Sequence, residues 1–338
     1  MKNDTLLSTL ILLFLLSSIN TKAQDFSYSQ FYNSAFIFNP ALTGHVPSSY
    51  RLTLMARNQW NNPGGNSIDG GYKNYSFAAD GNFYNPNLNT LGYGLMINQE
   101  ESMGGALQST HALASSAFHI KIGDSEKYFL SLGFQAGMLN RRYKTANLTF
   151  ASGLLGGINE VIVTPSNYNL DARAGINWTS YLSDRFRFKL GAAYLHLGGI
   201  TETLLENSSS TIPSTVVVHG DANFTMGRKK NMELQPSFII MAQGGARQFN
   251  LGMSYMQSFE NVKMFGGIHW RVMDAFIGNV GFEWNNIRVT YSYDITHSSL
   301  SNYIGIQGGS EIAIGYNGQI ARARQTDNPY ERDYFSIE

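Results

Sequence analysis

The strongest constraint on this chain is a series of short segments in which apolar and polar residues alternate one by one. In the segment 287–296 every odd-numbered residue is apolar or aromatic and every even-numbered residue is polar. Segments 130–138 and 248–255 repeat the pattern. Successive side chains of a β-strand point to opposite faces, so each segment predicts a strand with one apolar and one polar face. We count about fourteen such strands along the chain.

A soluble β-sandwich also alternates, but the lengths of the links between strands favour a membrane barrel. Strands that cross a bilayer turn back at its two faces in turn, with short periplasmic turns and longer surface loops. With the first strand at about 50–60, most even-numbered links are short hairpin turns. The long links are all odd-numbered: 61–73, 100–108, 141–168, 198–213 and 298–308. The chain is therefore predicted to be an all-β protein, a transmembrane antiparallel β-barrel of about fourteen strands.

Features outside the strands divide the chain into four parts. Lys2, the apolar run 6–19 and a small-residue site before Gln24 predict a cleaved export signal at 1–23. Residues 24–49 precede the first strand, 50–320 form the predicted barrel, and 321–338 form a charged periplasmic tail. An export signal followed by a barrel predicts the outer membrane of a Gram-negative bacterium, with outer-membrane lipid against the apolar outer face.

Composition excludes several functional classes. Basic residues (Lys plus Arg) and acidic residues (Asp plus Glu) both number 24, so the net charge is zero and a nucleic-acid partner is not predicted. Cysteine is absent, which excludes disulfides and thiolate chemistry. The seven histidines have no metal-ligand spacing, so neither a metal nor another cofactor is predicted.

The chain is also predicted not to be an enzyme. Asp294, His297 and Ser298 resemble a catalytic triad in composition, but they fall where a strand runs into a loop. A triad needs a base that is oriented against its nucleophile, and sequence proximity alone does not provide this. Hydrolases with such residues at a barrel rim remain the enzymatic alternative.

The segment before the first strand is aromatic without alternating. Pro40 and Gly44 argue against a lipid-facing strand. Exposing its aromatic side chains to water would forfeit about 1.5–3 kcal/mol each. The segment is therefore predicted to pack in or near the lumen, as a plug or as a docking segment for a periplasmic component. Its predicted anchors and turn residues are Phe31, Tyr32, Phe36, Phe38, Asn39 and Pro40.

Several motifs, taken in order, resemble the PorP/SprF family of type IX secretion system outer-membrane proteins. The opening signature of that family is similar to Tyr28-Ser29-Gln30-Phe31-Tyr32, to the segment 38–44, and to Arg57-Asn58-Gln59-Trp60. Its later blocks resemble 91–95, 292–295 and 309–312. The tail 321–338 is longer than the resemblance leads us to expect.

The resemblance implies a non-enzymatic role in protein secretion. Such proteins support the export and surface retention of large secreted proteins or gliding adhesins by receiving their C-terminal domain. The resemblance also implies contacts with other components of the type IX secretion machine.

Two long links are predicted to meet the exported partner. Apolar residues in a long surface link indicate a segment that a partner covers or that folds over the barrel mouth. These residues are Leu154, Leu155, Ile158, Val161, Ile162 and Val163 in the first link and Leu204 and Leu205 in the second.

A second functional class is a channel or transporter for small or hydrophobic solutes. Such a protein needs an apolar inner pocket with a lateral opening. The predicted inward residues are instead polar or charged, among them Asp171, Arg173, Arg288 and Asp294. This alternative stays open, because loops and the N-terminal segment could supply an apolar site.

Overall fold

A computed structural model describes residues 28–33, 35–46, 48–60, 71–83, 89–123, 127–144, 166–205, 208–299, 301–304 and 307–320. The predicted export signal 1–23 and the tail 321–338 lie outside these residues. The apolar residues 154–163 of the long link also lie outside them. What the sequence predicts for these segments stays a prediction.

The described residues form sixteen β-strands joined by turns and short helices. In chain order the strands are β1 Tyr50–Gln59, β2 Tyr72–Phe83, β3 Thr90–Ser102, β4 Leu107–Ile122, β5 Tyr128–Tyr143, β6 Ser166–Ser183, β7 Phe186–Leu195, β8 Ile200–Leu205, β9 Ser208–Ile212, β10 Thr215–Met226, β11 Met232–Gln243, β12 Ala246–Ser258, β13 Val262–Arg271, β14 Ala275–Trp284, β15 Ile287–Thr296 and β16 Gln307–Gly318.

Fourteen of these strands close into one antiparallel barrel, which confirms the predicted fold. Each barrel strand pairs with its neighbours in sequence, except that β7 pairs with β10, and β1 closes the barrel against β16. The hairpin β8–β9 is a separate two-stranded sheet within the link between β7 and β10. No helix in the described part of the chain is long and apolar enough to span a membrane.

The predicted register is also confirmed. In β15, Tyr291 and Tyr293 are exposed on the outer face, whereas Thr290 and Asp294 are buried inside. The closing pair β1–β16 runs in register from Tyr50 opposite Gly318 to Gln59 opposite Gly309. The outer face is therefore apolar around the barrel, as a lipid-facing surface must be.

The two ends of the barrel differ. We call the end with the links 60–71, 144–165, 196–214 and 297–306 the long-loop end, and the opposite end the short-turn end. The link between β3 and β4 was predicted to be long, at 100–108, and this is wrong. Both strands continue further than predicted, to Ser102 and from Leu107, and only four residues separate them, the 3-10 helix Met103–Gly105 and Ala106.

Strand length rises sharply on one side of the barrel. Strands β4, β5 and β6 have 16, 16 and 18 residues, whereas β13, β14 and β15 have 10 each. The ladder of β6 with β7 ends at Ala174 opposite Tyr194, and beyond it the Leu197 amide donates to the Ala172 carbonyl (2.9 Å). The segment 166–173 of β6 therefore stands above the end of β7 at the long-loop end, paired with β5 on its other side.

Candidate functional site

The lumen is filled by the chain's own N-terminal segment, residues 28–46, which we call the plug. The predicted packing of this segment in or near the lumen is thereby confirmed. The plug contains two 3-10 helices, Ala35–Ile37 and Pro40–Leu42. It begins in the long-loop half, where the Tyr28 hydroxyl donates to Asn98 Oδ1 (2.5 Å). It ends in the short-turn half, where the Gly44 amide donates to Asp80 Oδ2 (2.9 Å), just before β1 begins.

Aromatic residues hold the plug against the wall. Phe31, Phe36 and Phe38 are buried and belong to a core cluster shared with inward residues of the barrel. Tyr32 is only partly buried and stacks on His269 of β13, with ring centroids 5.7 Å apart. The wall residues of this cluster include Met55, Met96, Leu113, Val217 and Ile239. The lumen is therefore less polar than the sequence predicted.

A buried ion cluster, which we call the latch cluster, binds the start of the plug. Arg57 of β1 bridges Asp294 of β15 (2.8 Å) and Glu311 of β16 (3.1 Å). The Ser29 hydroxyl donates to Asp294 (2.8 Å), and the amides of Ser29 and Gln30 donate to Glu311 (2.8 and 3.0 Å). The two carboxylates thus hold the plug backbone directly, and Arg57 holds the carboxylates.

The latch cluster unites three of the motifs that carried the family resemblance. Arg271 of β13, which no motif contained, completes it by contacting both Asp294 and Asp274. Arg57 Nε donates a hydrogen bond to Gln59 Oε1 (3.4 Å). Asn58 is exposed on the outer face. Trp60 packs edge-on against Tyr72, with ring centroids 5.2 Å apart.

Asn39 and Pro40 lie at a turn of the plug in the middle of the lumen. The Asn39 side chain accepts the Ala41 amide (2.9 Å), which caps the second 3-10 helix. It also donates to the Ile176 carbonyl (3.0 Å) on β6.

The barrel wall has glycines, and so no inward side chains, where this turn approaches it. Gly133 of β5 and Gly175 of β6 lie opposite each other, and both face inward. A Cβ at Gly133 would overlap the backbone of Pro40 and Ala41, and a Cβ at Gly175 would overlap the side chain of Asn39. Glycine is therefore required at both positions by the closeness of the plug.

A second polar cluster lies inside the tall wall. Asp171 contacts Arg173 (2.9 Å) and His196 (2.8 Å), and Arg173 contacts His111 (3.1 Å). His111 Nδ1 also lies 3.7 Å from Asp171, so two histidines that look isolated in the sequence share one buried carboxylate. The described residues contain no group of three or more His, Cys, Asp or Glu side chains arranged to hold a metal ion.

The hairpin β8–β9 folds against the top of the tall wall. Glu202 of β8 is buried and pairs with Arg141 of β5 (2.8 Å). Burial raises the pKa of the Glu202 carboxyl although Arg141 opposes the shift, so the ion pair compensates only part of the cost of desolvation. Leu204 and Leu205 end β8, and their side chains lie outside what the structure describes.

The outer face of β6 beside the hairpin is unusually bare. Leu170 is 85% exposed and Tyr168 is 69% exposed, the highest values for Leu and Tyr among the described exposed residues. The reason is geometric, because β7 ends below them and provides no neighbouring side chains. The sequence analysis missed this patch, although the excess length of the alternating segment at β6 could have indicated it.

The triad-like residues do not form a relay. Asp294 belongs to the latch cluster. His297 accepts the Trp270 indole N–H (3.1 Å) and lies against Phe276, with ring centroids 4.8 Å apart. Ser298 contacts Asp274 at 3.5 Å.

Comparison with known proteins supports both the fold and the resemblance. The family profile of the type IX secretion system membrane protein PorP/SprF matches residues 20–316. No curated protein matches the chain significantly.

Among solved structures, the chain is similar to the toluene transporter TbuX of Ralstonia pickettii, with 10% identity, a TM-score of 0.52, and coverage of 85% of this chain and 94% of that one. It is also similar to the toluene transporter TodX of P. putida, with 8% identity, a TM-score of 0.48, and coverage of 85% and 94%. At 10% identity the likeness to TbuX shows an outer-membrane barrel fold alone.

Proposed function

The chain belongs to the PorP/SprF family of type IX secretion system membrane proteins, and from this premise we propose that it is a non-enzymatic assembly barrel of that machine. In this proposal it supports the export and surface retention of a large secreted protein or gliding adhesin by binding its C-terminal domain. A cleaved signal at 1–23 brings it to the outer membrane. No cofactor takes part.

The observation that carries this proposal is the filled lumen. Plug residues contact strands on opposite sides of the barrel, from Glu311 in β16 to Ile176 in β6. A barrel packed in this way has no open route for a polypeptide, so it acts on its partner from outside. Outer-membrane barrels have short periplasmic turns and longer surface loops, so we propose that the long-loop end faces the cell surface.

We place the partner surface at that end, on the tall wall and the hairpin. There the outer face of β6, beyond its pairing with β7, offers a surface for an apolar segment of the partner. Leu170 and Tyr168 provide apolar anchors on it. The links predicted from sequence to meet the partner, 141–168 and 198–213, connect strands at this same end of the barrel.

Other secretion components are proposed to meet the short-turn end. The turn there between β10 and β11 carries Arg228, Lys229 and Lys230, all exposed, and suits an acidic partner.

We expect the combined change Tyr168→Gln and Leu170→Gln to reduce recovery of the exported partner by about tenfold or more, because each removes an exposed apolar anchor. Replacing 200–212 by a four-residue Gly-Ser link should have a similar effect. The measurement is co-purification of the partner from outer membranes, together with its retention on the cell surface.

The matched control is Phe259→Gln, which removes an exposed apolar side chain at the short-turn end. It should leave partner recovery unchanged. Heat-modifiable migration on gels establishes that each variant barrel is folded. Full partner retention by folded variants at Tyr168, Leu170 and the hairpin would rule out this surface.

A further inference from the structure

Three buried polar side chains on the inner faces of β12, β13 and β14 have no hydrogen-bond partner among the residues that the structure describes. They are Asn250, His269 and Asn279, which are 0%, 3% and 5% exposed. Both polar atoms of each side chain are unpaired among the described residues, which makes six atoms in all. Buried polar atoms are nearly always paired, because burying them without a hydrogen bond is costly. The three side chains therefore indicate a bound molecule.

The three side chains lie on one diagonal line across the wall. On one side, His269 is opposite Gly252 of β12, two positions from Asn250. On the other side, it is opposite Ile277 of β14, two positions from Asn279. Diagonal neighbours in an antiparallel sheet are about 7–8 Å apart, so one small molecule between two such side chains can contact both. His269 is the middle member of the line.

Two glycines beside this line give the polar side chains room. The His269 ring lies over Gly252, where a Cβ would overlap it. The Asn279 amide and the Ser254 hydroxyl lie over Gly267, where a Cβ would be 2.9 Å from Asn279 Nδ2 and 2.6 Å from Ser254 Oγ. The imidazole and the amide therefore lie directly on the backbone of the wall, which larger residues at these two positions would prevent.

The plug closes the site from the lumen. The Tyr32 ring stacks on the His269 ring, with centroids 5.7 Å apart. The Phe31 ring meets the same imidazole edge-on, with centroids 6.2 Å apart. The site thus lies between the wall and two aromatic rings. A molecule bound there has to be small.

The chemistry of the site favours a neutral molecule that both donates and accepts hydrogen bonds. Each carboxamide and the imidazole can donate and accept, and none of the three side chains is a carboxylate that would attract a cation. Arg271 is opposite Asn250 in register, but it is already paired with Asp274 and Asp294. Water fits these requirements, and buried water usually binds polar groups that the protein itself leaves unpaired.

We propose that this site holds a small cluster of resident water molecules, which join Asn250, His269 and Asn279 into one hydrogen-bonded network behind Tyr32. A buried water makes about three hydrogen bonds, so the six unpaired atoms require about two or three waters. The plug is then seated on β13 through aromatic rings with water behind them, whereas at β5 and β6 it lies directly against glycines. The inference does not depend on the proposed secretion role.

The direct test is a crystal structure of the full-length protein, at a resolution that shows ordered water. We expect water density within about 2.7–3.2 Å of polar atoms from at least two of the three side chains. Direct hydrogen bonds among the three side chains, a dry site, or density for an ion or a larger molecule would each overturn the proposal.

A double-mutant cycle tests whether the water joins the two asparagines. Asn250 and Asn279 lie on β12 and β14, with β13 between them. If one network contains both, Asn250→Leu already breaks it, so adding Asn279→Leu should cost less than Asn279→Leu alone. We expect this coupling to be about fivefold in the unfolding equilibrium constant, measured by urea-induced unfolding in lipid vesicles. Additive effects would overturn the network.

Asn250→Leu combined with Asn177→Leu is the matched control. Asn177 is also a fully buried asparagine, but it lies on β6, which β11, β10 and β7 separate from β12. These two effects should be additive within about twofold in the same equilibrium constant. Equal coupling in the two pairs would also overturn the proposal. Heat-modifiable migration establishes that each variant is folded, and the wild-type crystal structure decides the question if a variant is not.

Discussion

Replacing Arg57 by methionine is expected to lower the free energy of unfolding of the barrel by about 3–5 kcal/mol, because it leaves buried carboxylates without their cation. Asp294 would keep Arg271 as a partner, whereas Glu311 would lose the one cation that contacts it among the described residues. Glu311 also holds the amides of Ser29 and Gln30, so the start of the plug should loosen with it. The measurement is urea-induced unfolding in lipid vesicles, followed by tryptophan fluorescence.

A second variant separates charge from packing. Arg57→Met combined with Glu311→Gln removes the uncompensated carboxylate and should recover a substantial part of the lost stability. Arg185→Met is the control, because it removes an exposed arginine at the short-turn end. If the single and double variants were equally destabilised, or if Arg57→Met matched the control, the latch cluster would not hold the plug by charge.

Replacing Gly133 by valine is expected to displace the plug without removing it. The new side chain would overlap the backbone of Pro40 and Ala41, and neither that backbone nor the barrel ladder can yield easily. Overpacking of this kind costs about 1–3 kcal/mol and shifts backbone. We therefore expect a folded barrel whose plug is cleaved by a protease added to the short-turn side, where wild-type protein resists.

Gly278→Val is the matched control for this change. Gly278 faces outward on β14, and a Cβ there meets no atom within 4 Å. A valine at that position should leave protease resistance unchanged. Equal resistance of Gly133→Val and wild type would mean that the turn at Asn39 and Pro40 does not press against the wall.

Local regularity explains what the sequence predicts well. The face of each strand follows from a period of two, and the parity of long and short links follows from crossing a bilayer, so strand number and register could both be derived. The aromatic anchors of the plug could also be derived, because their burial is required wherever they pack.

The inner contacts could not be derived in the same way. Arg57 and Asp294 are 237 positions apart in the chain, and only closure of the barrel brings them together. Met96, Leu113 and Val217 face the lumen although they are apolar, because the plug packs against them. They are exceptions to the expectation of a polar lumen. Their apolar character at inward positions was the available sign that the barrel is filled.

The extra length of β4, β5 and β6 could not be predicted from sequence, because the long link between β5 and β6 adjoins it. The residues 141–143 and 166–168 were assigned from sequence to the link, because polar residues on both faces interrupt the alternation there. In the structure they belong to β5, which ends at Tyr143, and to β6, which begins at Ser166. The exposed outer face at the start of β6 could therefore not be distinguished from the link by the alternation pattern alone.

The central claim is that the plug closes the barrel, and single-channel conductance in planar bilayers tests it most directly. Full-length protein and a variant lacking 28–45 are inserted in parallel, each confirmed as folded by heat-modifiable migration. We predict no steady conductance for the full-length protein and a stable ion-conducting pore for the variant. Steady conductance of the full-length protein at the level of the variant would contradict the account, and so would a folded variant that conducts nothing.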